Sequence, residues 1–304
     1  MQQRTFAEEI KYQWNYGGPH IQLIGINLLV FLIIGTLLVF GRLFTGSEIN
    51  LLHWLVQNIF TLHGNIKGFL VRPWGIVTSM FAHFDLFHFL FNMIFLYFVG
   101  RMFLMYFSAK RLWATYVMGG LLGGIFQILA YSIFPGLQGV NTYVVGASGS
   151  IMAIFMAVAF YRPMEEVMLF GIIRIKMIFI AGVFILLDLF RLGTQDNIAH
   201  FAHLGGIVFG IWSIRNLHAR NNIVEIGLTW WENIIAKFNN QPKKLKVKRG
   251  GKVNNQTKTD DEFRKKKMDK QAEIDAILDK ISKSGYDSLT KKEKQILFDQ
   301  SKNV

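Results

Sequence analysis

Apolar residues run in six long blocks over about the first 215 positions, at 21–40, 84–103, 112–134, 145–161, 175–192 and 198–214. Polar residues separate the blocks. A run of about 20 apolar residues makes roughly 30 Å of helix, enough to cross the hydrocarbon of a bilayer. The pattern therefore predicts six transmembrane helices. The fourth is short, about 17 residues or ~25 Å, which predicts that it starts below the membrane surface. Between the first two blocks, Leu51, Leu52, Trp54, Leu55, Ile59 and Phe60 recur near helical spacing. Such a stretch is predicted to lie in the interface plane, with Trp54 and Trp74 as anchors. The loop at 135–142 carries no charge.

Beyond Arg215 the pattern changes. Ile223, Ile226, Trp230, Trp231, Ile234 and Ile235 alternate with polar residues and predict an amphipathic helix on a membrane surface. A stretch rich in Lys, Asn and Gly follows and reads as a linker. Ile274, Ile277, Leu278 and Ile281 then predict a helix over 273–281, and Thr290 with Glu293 has the spacing of a capping box opening another at 292–300. The expected organisation is an N-terminal segment (1–20), a six-helix membrane domain (21–215), an amphipathic helix (216–240), a basic linker (241–270) and a small helical hairpin (271–304).

Charge orients this architecture. The 304 residues carry a formal +13, concentrated in the last 65 or so, and no cysteine. Lack of cysteine excludes disulfides, thiol catalysis and cysteine-ligated metals. Arg101, Lys110, Arg111, Arg162, Arg174 and Lys176 fall in loops on the side of the tail. The positive-inside rule then places both termini in the cytoplasm. The tail lacks the aromatic interleaving of a nucleic-acid binder, so anionic lipid is its expected partner and nucleic acid is not.

The chemistry lies in the polar residues of the apolar blocks. Ser148 sits between glycines at the head of the fourth block, and His203 lies about five residues, or roughly 8 Å, into the sixth. His83, His88 and Asn92 open the second. Alternate helices run in the same direction, so these groups share one depth, and ionisable groups at such depth face a bundle interior or a cavity. A serine hydroxyl needs a base to become a nucleophile, and neutral imidazole is the usual one. Gly206 and Gly210 let the sixth helix approach the face of the fourth formed by Gly149, Ser150 and Ala153. That approach would bring His203 to Ser148. Asn92 and His88, one helical turn apart, could donate to a developing oxyanion, together with the unpaired backbone amide of Ser148.

The segments His83-x4-His88-x3-Asn92, Gly146-x-Ser148-Gly149 and Ala202-His203-Leu204-Gly205-Gly206-x3-Gly210 resemble those of rhomboid intramembrane serine proteases in order, placement and spacing over about residues 70–215. The resemblance implies an all-α polytopic fold, a six-transmembrane-helix rhomboid-type bundle. It implies Ser148 as nucleophile and His203 as base of a Ser–His dyad, with Asn92, His88 and the backbone amides of Ala147 and Ser148 as oxyanion donors. Substrates would be other membrane proteins, cut through an acyl-enzyme in or near a transmembrane segment where small residues loosen the helix. They would enter by the first loop and span five. No cofactor and no metal is implied. Together with residue usage rich in Lys, Asn and Ile, the resemblance points to a bacterial inner membrane.

Blander readings stand beside these. Ser148 could bond back to its own helix. His83 reads better as a loop anchor than as a reacting group, and His200 better as structural. His83, His88, His200 and His203 could form a metal site, although no carboxylate is obviously placed to assist. Asp188 is expected to pair with Arg191 three residues on, outside the mechanism. The competing function is a non-catalytic relative that binds client transmembrane helices.

Overall fold

Each apolar block folds mainly as helix in a computed structural model covering residues 5–137, 143–169, 171–194, 199–217, 219–238 and 260–301. Outside these lie the first four residues of the expected N-terminal segment, most of the uncharged loop at 135–142, the first residue of the sixth block and residues 241–259 of the linker. Contacts divide the chain into two units, 1–244 and 245–304.

In the first unit, the N-terminal segment forms α1 (Phe6–Tyr16). Thr5 and Glu8 start it with a capping box, Thr5 N–H donating to Glu8 Oε2 at 2.8 Å. Then α2 (Pro19–Thr45) opens on proline and closes on Gly46 at φ +67°. The stretch after α2 holds α3 (Leu51–Phe60), β1 (Leu62–His63), α4 (Ile66–Val71) and α5 (Gly75–Thr78), which runs into a 3₁₀ turn at Ser79–Phe81. The bundle continues with α6 (Leu86–Tyr106), α7 (Ala109–Ile133), β2 (Tyr143–Val144) and α8 (Ser148–Tyr161). It ends with the hairpin β3 (Glu166–Leu169) and β4 (Ile173–Lys176), then α9 (Met177–Phe190), α10 (His200–Ser213) and the amphipathic α11 (Ile223–Phe238).

Only α2, α6 and α7 are long and apolar enough among the described residues to cross a membrane by themselves. The helices α8, α9 and α10 have 14 residues each, or ~21 Å, well short of the ~30 Å hydrocarbon. The six-span expectation thus has three full-length helices behind it and three short ones. The shortness has a use, since α8 and α10 start within the bundle and bring Ser148 and His200 to their first positions.

Every residue of α8 from Gly149 to Ala159 is buried. That helix is the post around which α6, α7, α9 and α10 stand. Glycine permits the close approach. A methyl on Gly205 would lie 2.6 Å from Gly123 Cα of α7, and one on Gly149 would lie 3.1 Å from the Ala202 carbonyl of α10. On Gly206 or Gly210 it would collide with the Gly149 or Ala153 carbonyl of α8. Those contacts leave no room for any residue but glycine on the facing backbones.

Two buried polar groups tie the helices together. Tyr116 of α7 donates its hydroxyl to the Met80 carbonyl at 2.8 Å and accepts from Asn27 of α2 at 3.2 Å. Arg111, 2% exposed, donates to the Ser213 carbonyl at 2.6 Å and to Asn222 Oδ1 at 3.0 Å, and it pairs with Glu225 at 3.3 Å. This one guanidinium fastens the start of α7 to the end of α10 and the start of α11. Its five donors suit a buried junction of carbonyls and a carboxylate.

The second unit is a helical pair, α12 (Asp260–Ser284) and α13 (Lys291–Ser301), joined by a 3₁₀ turn at Tyr286–Ser288 after Gly285 at φ +75°. Ile274, Ile277 and Leu289 are buried in it. The helix begins at Asp260, inside the stretch expected to be linker up to 270, which corrects that boundary. Lys is the commonest residue from 260 to 270 and is a good helix former, as are Glu262, Arg264 and Met268, so charge density alone was a poor sign of irregular chain. The capping box is present: Thr290 N–H donates to Glu293 Oε2 at 2.7 Å, and Glu293 N–H to Thr290 Oγ1 at 3.3 Å.

Candidate active site

Ser148 is the first residue of α8, and a glycine makes its approach possible. Gly146 has φ +124°, where a side chain is strained, and a methyl there would lie 2.8 Å from the His88 ring. The loop before Ser148 is pinned on two sides. Gly146 N–H donates to the Ser79 carbonyl at 2.9 Å, and β2 pairs antiparallel with β1 through Leu62 with Val144 and His63 with Tyr143. The hydroxyl is thus carried on a fixed loop at the head of a buried helix.

His203 lies one turn into α10. Its Nε2 is 2.7 Å from Ser148 Oγ, and its Nδ1 is 2.9 Å from Asp188 Oδ1 on α9. With the carboxylate ionised, Nδ1–H donates to Asp188 and leaves Nε2 to accept the serine proton. His200 donates from its own Nδ1 to the same Asp188 oxygen at 2.7 Å. Asp188 and His200 are both buried. The expected pairing of Asp188 with Arg191 is therefore corrected, and the reason is local: α9 ends at Phe190, so Arg191 does not continue the helical face that i, i+3 pairing needs.

The oxyanion candidates divide. The amide of Ala147 donates to His83 Nε2 at 3.4 Å, so it is engaged with His83 here and not presented to the site, against expectation. The same contact, with His83 fully buried and its ring 5.1 Å from that of His88, makes His83 a support of the nucleophile loop. Asn92 sends one N–H to the His88 carbonyl at 2.9 Å, and its amide nitrogen has a second. The His88 ring stands against Gly146, and the His88 amide caps α6 on Asp85 at 2.8 Å. Ser148 N–H is at the first helical position, where no intrahelical acceptor exists. A cavity of about 20 Å³, room for one water-sized group, opens beside the hydroxyl between Ser79, Gly120, Gly146, Ser150 and Ala202.

Asp188, His200 and His203 present ligand atoms within 4.8 Å of one another, so a divalent ion could be held there among the described residues. It would have to replace the hydrogen bonds that both imidazoles make to the carboxylate. The carboxylate was the member missing from the sequence-based metal reading. Its signal was available: Asp188 is the single acidic residue of the fifth block, and a lone intramembrane carboxylate needs partners.

Residues 71–220 match a family model described as the Rhomboid domain, and residues 257–303 match a family of unknown function, DUF6576. The chain is similar to RHOMBOID-like protein 12, mitochondrial, of Arabidopsis thaliana, 30% identical over 165 residues, which are 50% of this chain and 48% of the relative. It is also similar to Presenilin-associated rhomboid-like protein A, mitochondrial, of Danio rerio, 31% identical over 144 residues, 45% of this chain and 36% of the relative. The chain thus spans about half or less of the length of these curated relatives. Both carry mitochondrial names, which overturns the bacterial inner membrane expected from the resemblance and residue usage together. Surface composition answers to no physical requirement of one compartment, and it was a weak guide.

Proposed function

Because this chain belongs to the rhomboid family through its domain at residues 71–220, we propose that it is an intramembrane serine endopeptidase acting on transmembrane segments of other membrane proteins. The observation that carries the reading is the 2.7 Å approach of His203 Nε2 to Ser148 Oγ, made between two helices whose separation is set by glycine. In the reaction Ser148 Oγ bonds to the scissile carbonyl carbon while its proton passes to His203 Nε2. Ser148 N–H, Asn92 and His88 stabilise the resulting oxyanion. Collapse breaks the C–N bond, and the proton on Nε2 goes to the leaving amine. Water then repeats the sequence on the acyl-enzyme and frees Ser148. The helices α2, α6, α7, α8, α9 and α10 are the proposed spans, and the basic C-terminal region is proposed to meet anionic lipid.

A fluorophosphonate probe reads an activated serine directly. Detergent-solubilised protein should label, and Ser148→Ala and His203→Ala should each abolish labelling and cleavage of a model transmembrane substrate. A folded wild type that neither labels nor cleaves would instead indicate a client-binding protein.

A further inference from the structure

Beyond the serine and its base, the site holds a carboxylate that the reaction above does not use. We propose that Asp188 is a positioning residue for His203, making the centre a Ser148–His203–Asp188 triad, with His200 clamping the carboxylate in place. This rests on the protease reading.

The geometry is that of an orienting carboxylate. Asp188 Oδ1 accepts from His203 Nδ1 at 2.9 Å while Nε2 of the same ring faces Ser148 Oγ at 2.7 Å, so the three groups lie in series through one imidazole. An acceptor at Nδ1 fixes the tautomer that leaves Nε2 free for the serine proton, and it stabilises the imidazolium that forms when the proton arrives. Without it, the ring of a partly buried histidine can turn about its side-chain torsions or take the tautomer with the proton on Nε2.

His200 completes the arrangement. It donates to the same oxygen at 2.7 Å from one turn before His203 on α10, so the carboxylate is held by two imidazoles of one helix. Asp188 Oδ2 is buried and has no hydrogen-bond partner among the described residues. The helix supplying it is only lightly embedded: of α9, Met177, Ala181 and Asp188 alone are buried. One of those three buried positions is thus spent on a charge aimed at His203.

Asp188→Asn keeps the shape and removes the charge. The labelling rate and kcat on a model transmembrane substrate should fall by about 10²- to 10⁴-fold with KM little changed, as expected when a base is left in the wrong tautomer. Asp188→Glu, which keeps a carboxylate, should recover part of the rate. Equal labelling by Asp188→Asn and wild type would overturn the proposal. So would a loss that raises KM alone or that Glu fails to relieve, each of which marks a merely structural carboxylate. Activity lost to a chelator and restored by zinc would also overturn it, in favour of a metal at Asp188, His200 and His203. Wild type that never labels sinks the protease reading first, and the triad with it.

Discussion

Adding one methyl group at Gly205 tests whether helix spacing sets the chemistry. The Cβ of Gly205→Ala would lie 2.6 Å from Gly123 Cα, 2.7 Å from the Leu122 carbonyl oxygen and 2.9 Å from Gly123 N. Carbon atoms rest at about 3.5–4.0 Å, so the shortfall is about 1 Å. All three obstacles are backbone and cannot swing aside, so α10 itself must retreat from α7. His203 sits two residues earlier on that helix. A retreat of that size, taken along the Ser148–His203 bond of 2.7 Å, carries it beyond the ~3.2 Å limit of a good hydrogen bond. A misplacement of about 1 Å at a reacting pair lowers the rate on the order of 10²-fold, and overpacking lowers stability by about 1–3 kcal/mol. The assay is the second-order rate of fluorophosphonate labelling, read beside a thermal unfolding midpoint in the same detergent. Gly35→Ala on α2 is the matched control, since a methyl there meets nothing within 4 Å. If Gly205→Ala labels within about twofold of wild type, the helix gap does not control the Ser–His distance.

Two further outcomes follow from the polar anchors. Arg111→Met should lower the unfolding midpoint by an amount equivalent to about 2–3 kcal/mol, below the usual figure for a broken buried pair, because Glu225 can turn to solvent and the Ser213 carbonyl keeps its 2.8 Å bond from Asn222; an unchanged midpoint would show the junction is idle. In the second unit, the Thr290 backbone amide and then Lys280 hold the Glu293 carboxyl down from 4.5 to about 2. A depressed folded value means its contribution to the hairpin is present above pH 4.5 and is lost as pH falls through about 2. Amide protection of α13, taken relative to intrinsic exchange at each pH, should accordingly stay high at pH 5 and fall on acidification, and Glu293→Gln, which removes the titrating carboxyl, should abolish that dependence.

What could be read in the sequence was what one solvent dictates. Long apolar blocks report on hydrocarbon, and their limits lie within a few residues of the helices at 19–45, 86–106 and 109–133. Ser148 and His203 were readable because glycine beside a polar group is hard to explain otherwise inside such a block. The strands were not readable. Leu62 and Val144 pair across 82 positions in a two-residue ladder with no local alternation to announce it, and β3 with β4 is only four residues deep. Nor was the engagement of the Ala147 amide, which depends on where His83 arrives from another loop. Asp188 was seen and given the wrong partner, since sequence proximity to Arg191 outweighed a contact that forms only when α9 and α10 stand side by side.

The burial of α8 on every side has one more consequence, for how freely this chain can vary. Most helices have an outward face where substitutions accumulate at little cost, and a map of tolerated changes along them rises and falls every 3.6 residues. From Gly149 to Ala159 there is no such face. Tolerance along α8 should be flat and low, with residue volume as the main constraint at each position. New specificities would then have to be built on the surrounding helices and loops, leaving the nucleophile's own helix as the part of the molecule least open to revision.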